Sequence, residues 1–210
     1  MAVMQPGTVS APRPRKKKLT PEQLYESLDE DTKAELIHGE VILMSPVSIL
    51  HSRLQRFFFR VLDEFIEEHN LGELFVDQTE MRLGDNRYVP DASFVAYEHL
   101  DRVKATRIEG PVDLVVEITS PETAGRDWGV KMQDYEKAGV REYWLINPMV
   151  EQINVYVLGG AGKYVALLPD EKGVYHSAVL PGLIVSPQWL WPGADQKPDV
   201  RAALQVMGLR

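Results

Sequence analysis

The sequence predicts a mixed α/β domain, in which a β-sheet core is flanked by helices and carries extra β-hairpins. Three observations predict this class. Residues 113–118, DLVVEI, form a near-continuous apolar run that is typical of a central strand covered on both faces. Residues 48–70 repeat apolar side chains every three or four positions, which indicates a long amphipathic helix. A shorter helical segment then separates DLVVEI from a second apolar run, REYWLIN at 141–147.

The chain begins with a basic tail that is followed by a helix and a hairpin. Residues 1–18 contain five basic residues, no acidic residue and no apolar periodicity, so we predict a disordered tail. Thr20, Pro21 and Gln23 have the spacing of a capping box, which predicts a helix start. In AELIHGEVILMSP, at 34–46, the alternation breaks at a His-Gly pair, which predicts a tight β-hairpin.

The rest of the chain alternates between predicted strands and one more helix. ELFVDQTEMRL and RYVPDASFVAY flank a Gly-Asp-Asn turn at 84–86 and are expected to form a hairpin. The helix after DLVVEI is expected to run to about residue 137 and to end at a glycine. REYWLIN should pair with QINVYVL, and later elements are predicted at KYVALL, GVYHSAV and SPQWLW. Residues 19–192 should form a single domain, and residues 193–210 a loose C-terminal segment.

Charge and composition limit the partners of this domain. The formal net charge is −8. Outside the basic tail, the chain contains 18 basic and 31 acidic residues, so the rest of the protein is more acidic than the net charge suggests. Contact with nucleic acid would therefore need a local basic patch, or metal ions that mask phosphate charge. The absence of cysteine excludes disulfides and thiolate metal sites. With no apolar run long enough to span a bilayer and no apolar signal segment, we expect no membrane partner and a cytoplasmic location.

Two carboxylates and a lysine form the principal candidate site. Asp91 follows Pro90 in a strand-like segment, Glu117 lies in DLVVEI, and Lys131 lies on the next predicted helix. If the two strands are neighbours, their acids meet at one end of the sheet, where their mutual repulsion favours a bound cation. Mg²⁺, or Mn²⁺, accepts such oxygen ligands and can activate water for attack on phosphorus. A lysine ammonium beside them would position the water or stabilise the transition state.

Five segments, taken in order, resemble one known family. These are AELIHGEVILMSP, His51-Ser52, YVPDASFV, VVEITSP and DWGVKMQDYEKAGVREYWLIN. Together they resemble the Uma2 family, also called DUF820, a branch of the PD-(D/E)xK restriction-endonuclease-like superfamily. The resemblance extends from about residue 19 to about residue 191. It implies a restriction-endonuclease-like fold and a Mg²⁺-dependent nuclease site, with no defined substrate.

The resemblance also assigns roles to individual residues. Its Pro-Asp motif corresponds to Pro90-Asp91, and its E-x-K motif begins at Glu117 but has Thr119 where lysine is expected. The chain thus resembles members in which the lysine has moved to the following helix, where Lys131 fits. The additional N-terminal carboxylate of the family corresponds to Glu35, which would be a third metal ligand beside Asp91 and Glu117, although a hairpin acid can equally be solvated or paired.

Further residues are candidate contacts to phosphate. His51 is expected at the beginning of the long helix, where an anion can bind. Tyr135 shares a helix face with Lys131 and either reaches phosphate or a site residue, or packs with its hydroxyl satisfied. Gln133 is an alternative if Lys131 is not the functional residue. A basic stripe on the long helix either follows a phosphate backbone or pairs with acids further along; it comprises Arg53, Arg56 and Arg60.

The sequence therefore predicts a Mg²⁺-dependent endonuclease that hydrolyses phosphodiester bonds, with DNA as the expected partner. The alternatives are a non-catalytic nucleic-acid-binding or interaction module on the same fold, and a hydrolase of another phosphoester. A homodimer is plausible, because cutting two strands favours two sites and the late strands offer exposed edges. For Lys131, the competing interpretation is an exposed i,i+4 ion pair with Asp127.

Overall fold

The structure is a computed structural model, and it describes residues 19–29, 31–76, 79–193 and 197–209. In these ranges the chain forms one six-stranded sheet, one five-stranded sheet and a two-stranded ribbon. The strands in chain order are β1 (Ala34–Ile37), β2 (Glu40–Leu43), β3 (Gly72–Val76), β4 (Glu80–Leu83), β5 (Asn86–Tyr88), β6 (Ala92–Ala96), β7 (Arg107–Glu109), β8 (Leu114–Ile118), β9 (Glu142–Asn147), β10 (Gln152–Leu158), β11 (Tyr164–Leu167), β12 (Tyr175–His176) and β13 (Ile184–Val185).

The described residues form six α-helices, one 3₁₀ helix and one π-helical segment. The α-helices in chain order are α1 (Pro21–Glu26), α2 (Ile49–His69), α3 (Ala124–Arg126), α4 (Met132–Ala138), α5 (Pro187–Leu190) and α6 (Val200–Val206). A 3₁₀ helix spans Tyr97–Arg102, and a π-helical segment, Asp127–Lys131, joins α3 to α4. Among these helices, none is both long and apolar enough to cross a membrane.

The six-stranded sheet has the order β11-β10-β9-β8-β6-β3, and only β8 and β9 run parallel. The parallel pair is connected through α3 and α4, as the predicted strand–helix–strand order requires. The five-stranded sheet has the order β2-β1-β5-β4-β7. The mixed α/β architecture predicted from the sequence is confirmed.

Two hydrophobic clusters lie on opposite faces of the six-stranded sheet. On one face, α2 packs its apolar stripe, including Phe57 and Phe58, against the sheet and Trp144. On the other face, Tyr135 of α4 makes edge-to-face contacts with Tyr88 and Tyr143. Since side chains alternate along β8, Val115 and Glu117 point toward the second face, where α4 lies.

Local capping signals explain where α2 begins and ends. The Ser48 side chain accepts a hydrogen bond from the backbone N–H of His51 at 3.1 Å, which fixes the first turn. Asn70 ends the helix in a left-handed conformation with φ of 50°. The predicted helix over 48–70 is therefore confirmed within a residue at each end. The predicted hairpin at His38-Gly39 is also confirmed, as β1 and β2.

The predicted hairpin around residues 84–86 is confirmed in its strand pairing, and the structure adds that the hairpin is divided between two sheets. The turn does join β4 to β5, but these strands belong to the five-stranded sheet, whereas β3 and β6 pair with each other in the six-stranded sheet. Pro90 separates β5 from β6, because it has no N–H to donate and interrupts the ladder. The segment around Pro90 looks like one strand in the sequence but forms β5 in one sheet and β6 in the other. Asp91 lies where the chain passes between the two sheets.

The prediction of a loose C-terminal segment is wrong for residues 197–209. The Asp199 side chain caps α6 by accepting a hydrogen bond from the Ala202 N–H at 2.9 Å. Ala203, Leu204 and Leu209 are buried in the cluster that α2 forms with the sheet. The helix docks because its apolar residues share one face, so burial compensates for the ordering of a short segment. The predicted disordered tail, residues 1–18, lies outside the described residues.

Candidate active site

Adjacent strands bring Asp91 and Glu117 together. In the antiparallel pairing of β6 with β8, Ala92 lies opposite Val116, and the next step of the same register places Asp91 opposite Glu117. Both side chains are buried, with 6% and 4% of their residue surface exposed. The sequence prediction that these acids meet at one end of the sheet therefore agrees with the geometry of the strands.

The π-helical segment places Lys131 directly beside Glu117. The Lys131 Nζ atom lies 2.8 Å from Glu35 Oε1, 3.0 Å from Glu117 Oε1 and 3.6 Å from Asp127 Oδ1. Lys131 and Asp127 are both almost completely buried, so the interpretation of an exposed ion pair on the helix surface is wrong. Short π-helical insertions occur frequently at functional sites, because they redirect side chains within a helix. Lys131 thus supplies from the helix the ammonium that Thr119 cannot supply from the strand.

Asp91 is held by donors on both of its oxygens. His51 Nε2 lies 3.0 Å from Oδ1, and the Ile118 N–H donates to Oδ2 at 2.8 Å. Burial alone would raise the pKa of Asp91, but the hydrogen bonds from His51 and Ile118 outweigh it and lower the pKa below its ordinary value. Asp91 is therefore a fixed, ionised carboxylate at physiological pH.

Glu117 and Lys131 form the electrostatic centre of the site. The Tyr135 hydroxyl donates to Glu117 Oε1 at 2.9 Å, alongside the bond from Lys131. Burial raises the pKa of Glu117 well above its ordinary value, although Lys131 opposes this effect. Burial alone would lower the pKa of Lys131, but Glu117, Glu35 and Asp127 together raise it, so its ammonium stays protonated. Four acids lie around this one buried lysine, namely Glu35, Asp91, Glu117 and Asp127.

Of the alternatives that the sequence left open for Glu35, the structure shows a paired side chain. Its side chain is completely buried, and its Oε1 accepts a hydrogen bond from the Val89 N–H at 3.0 Å in addition to contacting Lys131. The residues that line the adjoining cleft do not include Glu35. The carboxylate lies on the side of Lys131 away from the cleft, because β1 pairs with β5 in the five-stranded sheet.

A cleft of about 300 Å³ opens over the site. Its inner wall contains Asp91, Glu117, Asp127 and Lys131, and its rim carries exposed apolar side chains such as Met149. Ser48 and His51, from the first turn of α2, also line it, so the positive end of that helix dipole faces the cavity. The cleft is large enough for a small part of a substrate to reach the acids.

The donor set fits a hard divalent cation with two carboxylate ligands. Asp91 and Glu117 face the same cleft from neighbouring strands, and Mg²⁺ in proteins is commonly held by one or two carboxylates together with water. Within the described ranges, no group of three His, Asp or Glu side chains is arranged to hold an ion. Lys131 and the Val89 N–H engage Oε1 of Glu35, while its Oε2 atom has no hydrogen-bond partner among the described residues, so the three-carboxylate set expected from the sequence stays a prediction.

The remaining candidate residues divide into those near the cleft and those away from it. His51 lies at the site, hydrogen-bonded to Asp91. Tyr135 is fully buried and donates its hydroxyl to Glu117, so it packs with its hydroxyl bonded to a site residue, and a contact to phosphate stays a prediction. Gln133 is exposed on α4 and does not line the cleft. The stripe of Arg53, Arg56 and Arg60 is exposed on α2, and none of the three forms an ion pair with another described residue.

Sequence reasoning missed Asp127 as a member of the site. Asp127 is 1% exposed, lines the cleft and is positioned by a hydrogen bond from the Tyr143 hydroxyl to its backbone carbonyl at 3.1 Å. The signal was its spacing of four residues from Lys131, which is the same for a solvated pair and for a buried one. Only the packing of the helix on the sheet distinguishes the two cases.

Comparisons with known proteins identify the family and the fold of this chain. The model of the Uma2 family, described as "Putative restriction endonuclease", matches residues 21–188. A crystal structure at 1.96 Å of "a putative nuclease belonging to DUF820" from Anabaena variabilis ATCC 29413 is similar to this chain, with a TM-score of 0.67 and 19% sequence identity. The match covers 83% of this chain and 98% of that one, and at this identity it shows a common fold. The search of curated proteins found no match. Because the family model spans most of its length, the chain belongs to the Uma2 family.

Proposed function

We propose that this protein is a metal-dependent nuclease that hydrolyses phosphodiester bonds, with DNA as its substrate. The observation that carries the proposal is the buried Lys131 ammonium, 3.0 Å from Glu117 on the wall of a cleft that also contains Asp91. Burying these charged groups is costly even when they are paired. Buried ionisable groups with perturbed pKa values cluster at functional sites, so their concentration at one cleft favours catalysis over a structural role. The description of the family supports the same class of reaction.

Asp91 and Glu117 are the residues that would hold the ion, Mg²⁺ or Mn²⁺. When bound, the ion would withdraw charge from the phosphoryl oxygens and make water more acidic. His51 and the Ile118 N–H keep the Asp91 carboxylate in a single orientation for this task. The proposal places Glu35 in a supporting role, because it holds Lys131 from behind instead of facing the cleft.

Lys131 would act as a fixed positive charge. An ammonium has three N–H donors, and in this structure Glu35 and Glu117 accept two of them. The third donor is left to reach a phosphoryl oxygen or the attacking water in the cleft. Since its raised pKa keeps Lys131 protonated, the residue stabilises charge and orients its partner but does not remove a proton.

The exposed stripe of Arg53, Arg56 and Arg60 would follow the phosphate backbone away from the cleft. These residues span about 10 Å along α2, whose first turn lines the cleft. Three exposed guanidinium groups that form no ion pair with another described residue provide, on an acidic protein, the local basic patch that binding of a polyanion requires. The stripe also favours the second candidate function, a non-catalytic nucleic-acid-binding module.

Cleavage assays with matched variants distinguish these functions. Purified protein with Mg²⁺ or Mn²⁺ is incubated with single-stranded and duplex DNA, and Asp91→Asn is compared with Asp85→Asn, a change at an exposed turn. We expect wild type and the Asp85 variant to cleave equally, and the Asp91 variant to lose at least about 100-fold. If all three bind DNA and none cleaves it, the protein is a binding module. If only a small phosphodiester such as bis-p-nitrophenyl phosphate is hydrolysed, the substrate is another phosphoester.

Two further expectations stay predictions. A homodimer would bring two clefts to the two strands of a duplex. The edge strand β11 of the six-stranded sheet could pair with a second copy, since it exposes Val165 and is followed by the exposed Leu168. Light scattering coupled to size-exclusion chromatography would measure the mass and decide between monomer and dimer. The cytoplasmic location awaits fractionation of cells that produce the protein.

A further inference from the structure

Hydrolysis by the proposed site needs a group that accepts a proton from water, and most side chains in the cleft are unsuited to it. Lys131 is protonated, and Glu117 uses Oε1 to accept hydrogen bonds from Lys131 and Tyr135. Asp91 accepts a hydrogen bond on each oxygen and would be occupied by the cation. Glu35 lies outside the lining of the cleft. Of the remaining imidazole and carboxylate groups that line the cleft, His51 has its Nε2 atom on Asp91 and Glu122 is exposed, which leaves Asp127 as the candidate proton acceptor.

Asp127 has the properties that these residues lack. It lines the cleft and is 1% exposed, and its Oδ1 atom has no hydrogen-bond partner among the described residues. A buried, unpartnered carboxylate oxygen is costly, and such groups in folded proteins call for a specific explanation. The hydrogen bond from the Tyr143 hydroxyl to the Asp127 carbonyl holds the backbone at Asp127 in place.

The distance between Asp127 and Lys131 suits a shared water. Oδ1 lies 3.6 Å from Nζ, which is too long for a direct hydrogen bond. A water that lies beside the pair in the cleft can contact both atoms at this separation. A water placed there would accept a hydrogen bond from the third N–H of Lys131 and donate one to Asp127, which leaves a lone pair free to attack.

We propose that Asp127 is the general base of the reaction, taking the proton of the attacking water that Lys131 holds. The inference rests on the proposed nuclease function and names a catalytic residue for it. In the step, a water O–H bond breaks and the proton moves to Asp127 Oδ1, while the oxygen electron pair forms the new O–P bond. The P–O bond to the leaving group breaks with its electron pair, and that oxygen takes a proton from solvent. Asp127 then releases its proton to solvent, so one water is consumed in each cycle.

The electrostatic environment of Asp127 supports this role. Burial raises the pKa of Asp127 above its ordinary value, and this effect exceeds the opposing influence of Lys131 and of a hydrogen bond with Thr123. A carboxylate whose pKa lies closer to the working pH is a stronger base once ionised. The competing interpretation is that Asp127 only neutralises Lys131, in which case its removal would disturb Lys131 without removing a proton acceptor.

The test compares Asp127→Asn with Asp91→Asn and with the exposed control Asp85→Asn, using three readouts. These are Mn²⁺ affinity by calorimetry, affinity for single-stranded DNA, and single-turnover cleavage rate. We expect Asp127→Asn to bind Mn²⁺ and DNA within about twofold of wild type and to cleave about 10²–10⁴-fold more slowly. Asp91→Asn should instead lose Mn²⁺ affinity. Thermal unfolding of each variant establishes that it is folded.

A second variant protects the test against misfolding and against a purely structural effect. In Asp127→Ala, added formate can occupy the space of the carboxylate and accept the proton, so we expect it to restore cleavage, whereas it should not restore Asp91→Ala. Wild-type cleavage by Asp127→Asn, a loss of Mn²⁺ affinity equal to that of Asp91→Asn, or failure of formate to restore Asp127→Ala would each overturn the inference. A wild type that binds Mn²⁺ and DNA without cleavage would refute the proposed function itself.

Discussion

Removal of the Lys131 charge should destabilise the fold, because it leaves buried carboxylates without their cation. The ammonium is 2% exposed and contacts Glu35 and Glu117 within 3.0 Å, with Asp127 at 3.6 Å. Removing one partner of a buried ion pair typically costs about 3–5 kcal/mol. For Lys131→Met, which retains most of the side-chain volume, we therefore expect the free energy of unfolding at pH 8 to fall by about that amount. The melting temperature of a chain of this size should fall by roughly 6–20 °C.

The loss should depend on pH in a defined direction. Without the ammonium, the pKa values of Glu117 and Asp127, which burial already raises, rise further in the folded state, so that state binds more protons than the unfolded chain. The free energy of unfolding then decreases as pH rises from about 4, the pKa of these groups in the unfolded chain, through their folded values. We expect the deficit of Lys131→Met relative to wild type to be smaller at pH 5 than at pH 8.

Urea denaturation at both pH values measures the effect, in the absence of divalent ions. Lys172→Met, at an exposed turn, is the matched control and should stay within about 0.5 kcal/mol of wild type. The double variant Lys131→Met/Glu117→Gln should recover part of the loss, because one uncompensated charge is removed. A deficit below about 1 kcal/mol at pH 8, or one that is equal at pH 5, would show that the three carboxylates do not depend on the lysine.

Two further predictions concern the scaffold that supports the site. A Cβ atom on Gly72 would lie 2.1 Å from the carbonyl oxygen of Val95, so Gly72→Ala should shift the pairing of β3 with β6 and lower the melting temperature. Gly160 has open space around it, so Gly160→Ala should have little effect in the same thermal unfolding assay. The carboxylate of Glu142 accepts hydrogen bonds from four N–H and O–H donors. An amide in either orientation directs its NH₂ group at a donor, so we expect Glu142→Gln to lower the free energy of unfolding by about 1–3 kcal/mol in urea denaturation. Glu68→Gln, at an exposed position, is the control, and equal stability of the two variants would contradict the assignment of these donors.

Much of the secondary structure could be predicted from local pattern. The i, i+3 and i+4 spacing of α2 and its Ser48 cap depend on residues close in sequence, and they gave the correct helix. The division of the hairpin between two sheets could not be predicted in this way, because the run of apolar residues on either side of Pro90 is the same whether it joins one sheet or two. For the same reason α6 was missed, since its apolar face is short and becomes stable only when α2 provides a surface to cover it.

The candidate site shows the same division between local and long-range information. Asp91 and Glu117 could be identified because an acid in an apolar strand is unusual and requires a partner. The reach of Lys131 followed from its place on the helix after the strand. The opposite outcomes for Glu35 and Asp127 could not be foreseen, because each depends on which side of Lys131 the chain approaches in three dimensions.

By itself, the amino-acid sequence determined the types and order of the main elements, the pair of strand carboxylates and the helical position of the lysine. The tertiary structure alone decided that Glu35 lies behind Lys131, that Asp127 faces the cleft, and that the C-terminal helix joins the core. The physical reason is that periodicity and capping act between neighbours in the chain. The burial of a charged group is instead decided by segments that are distant in sequence and meet only on folding.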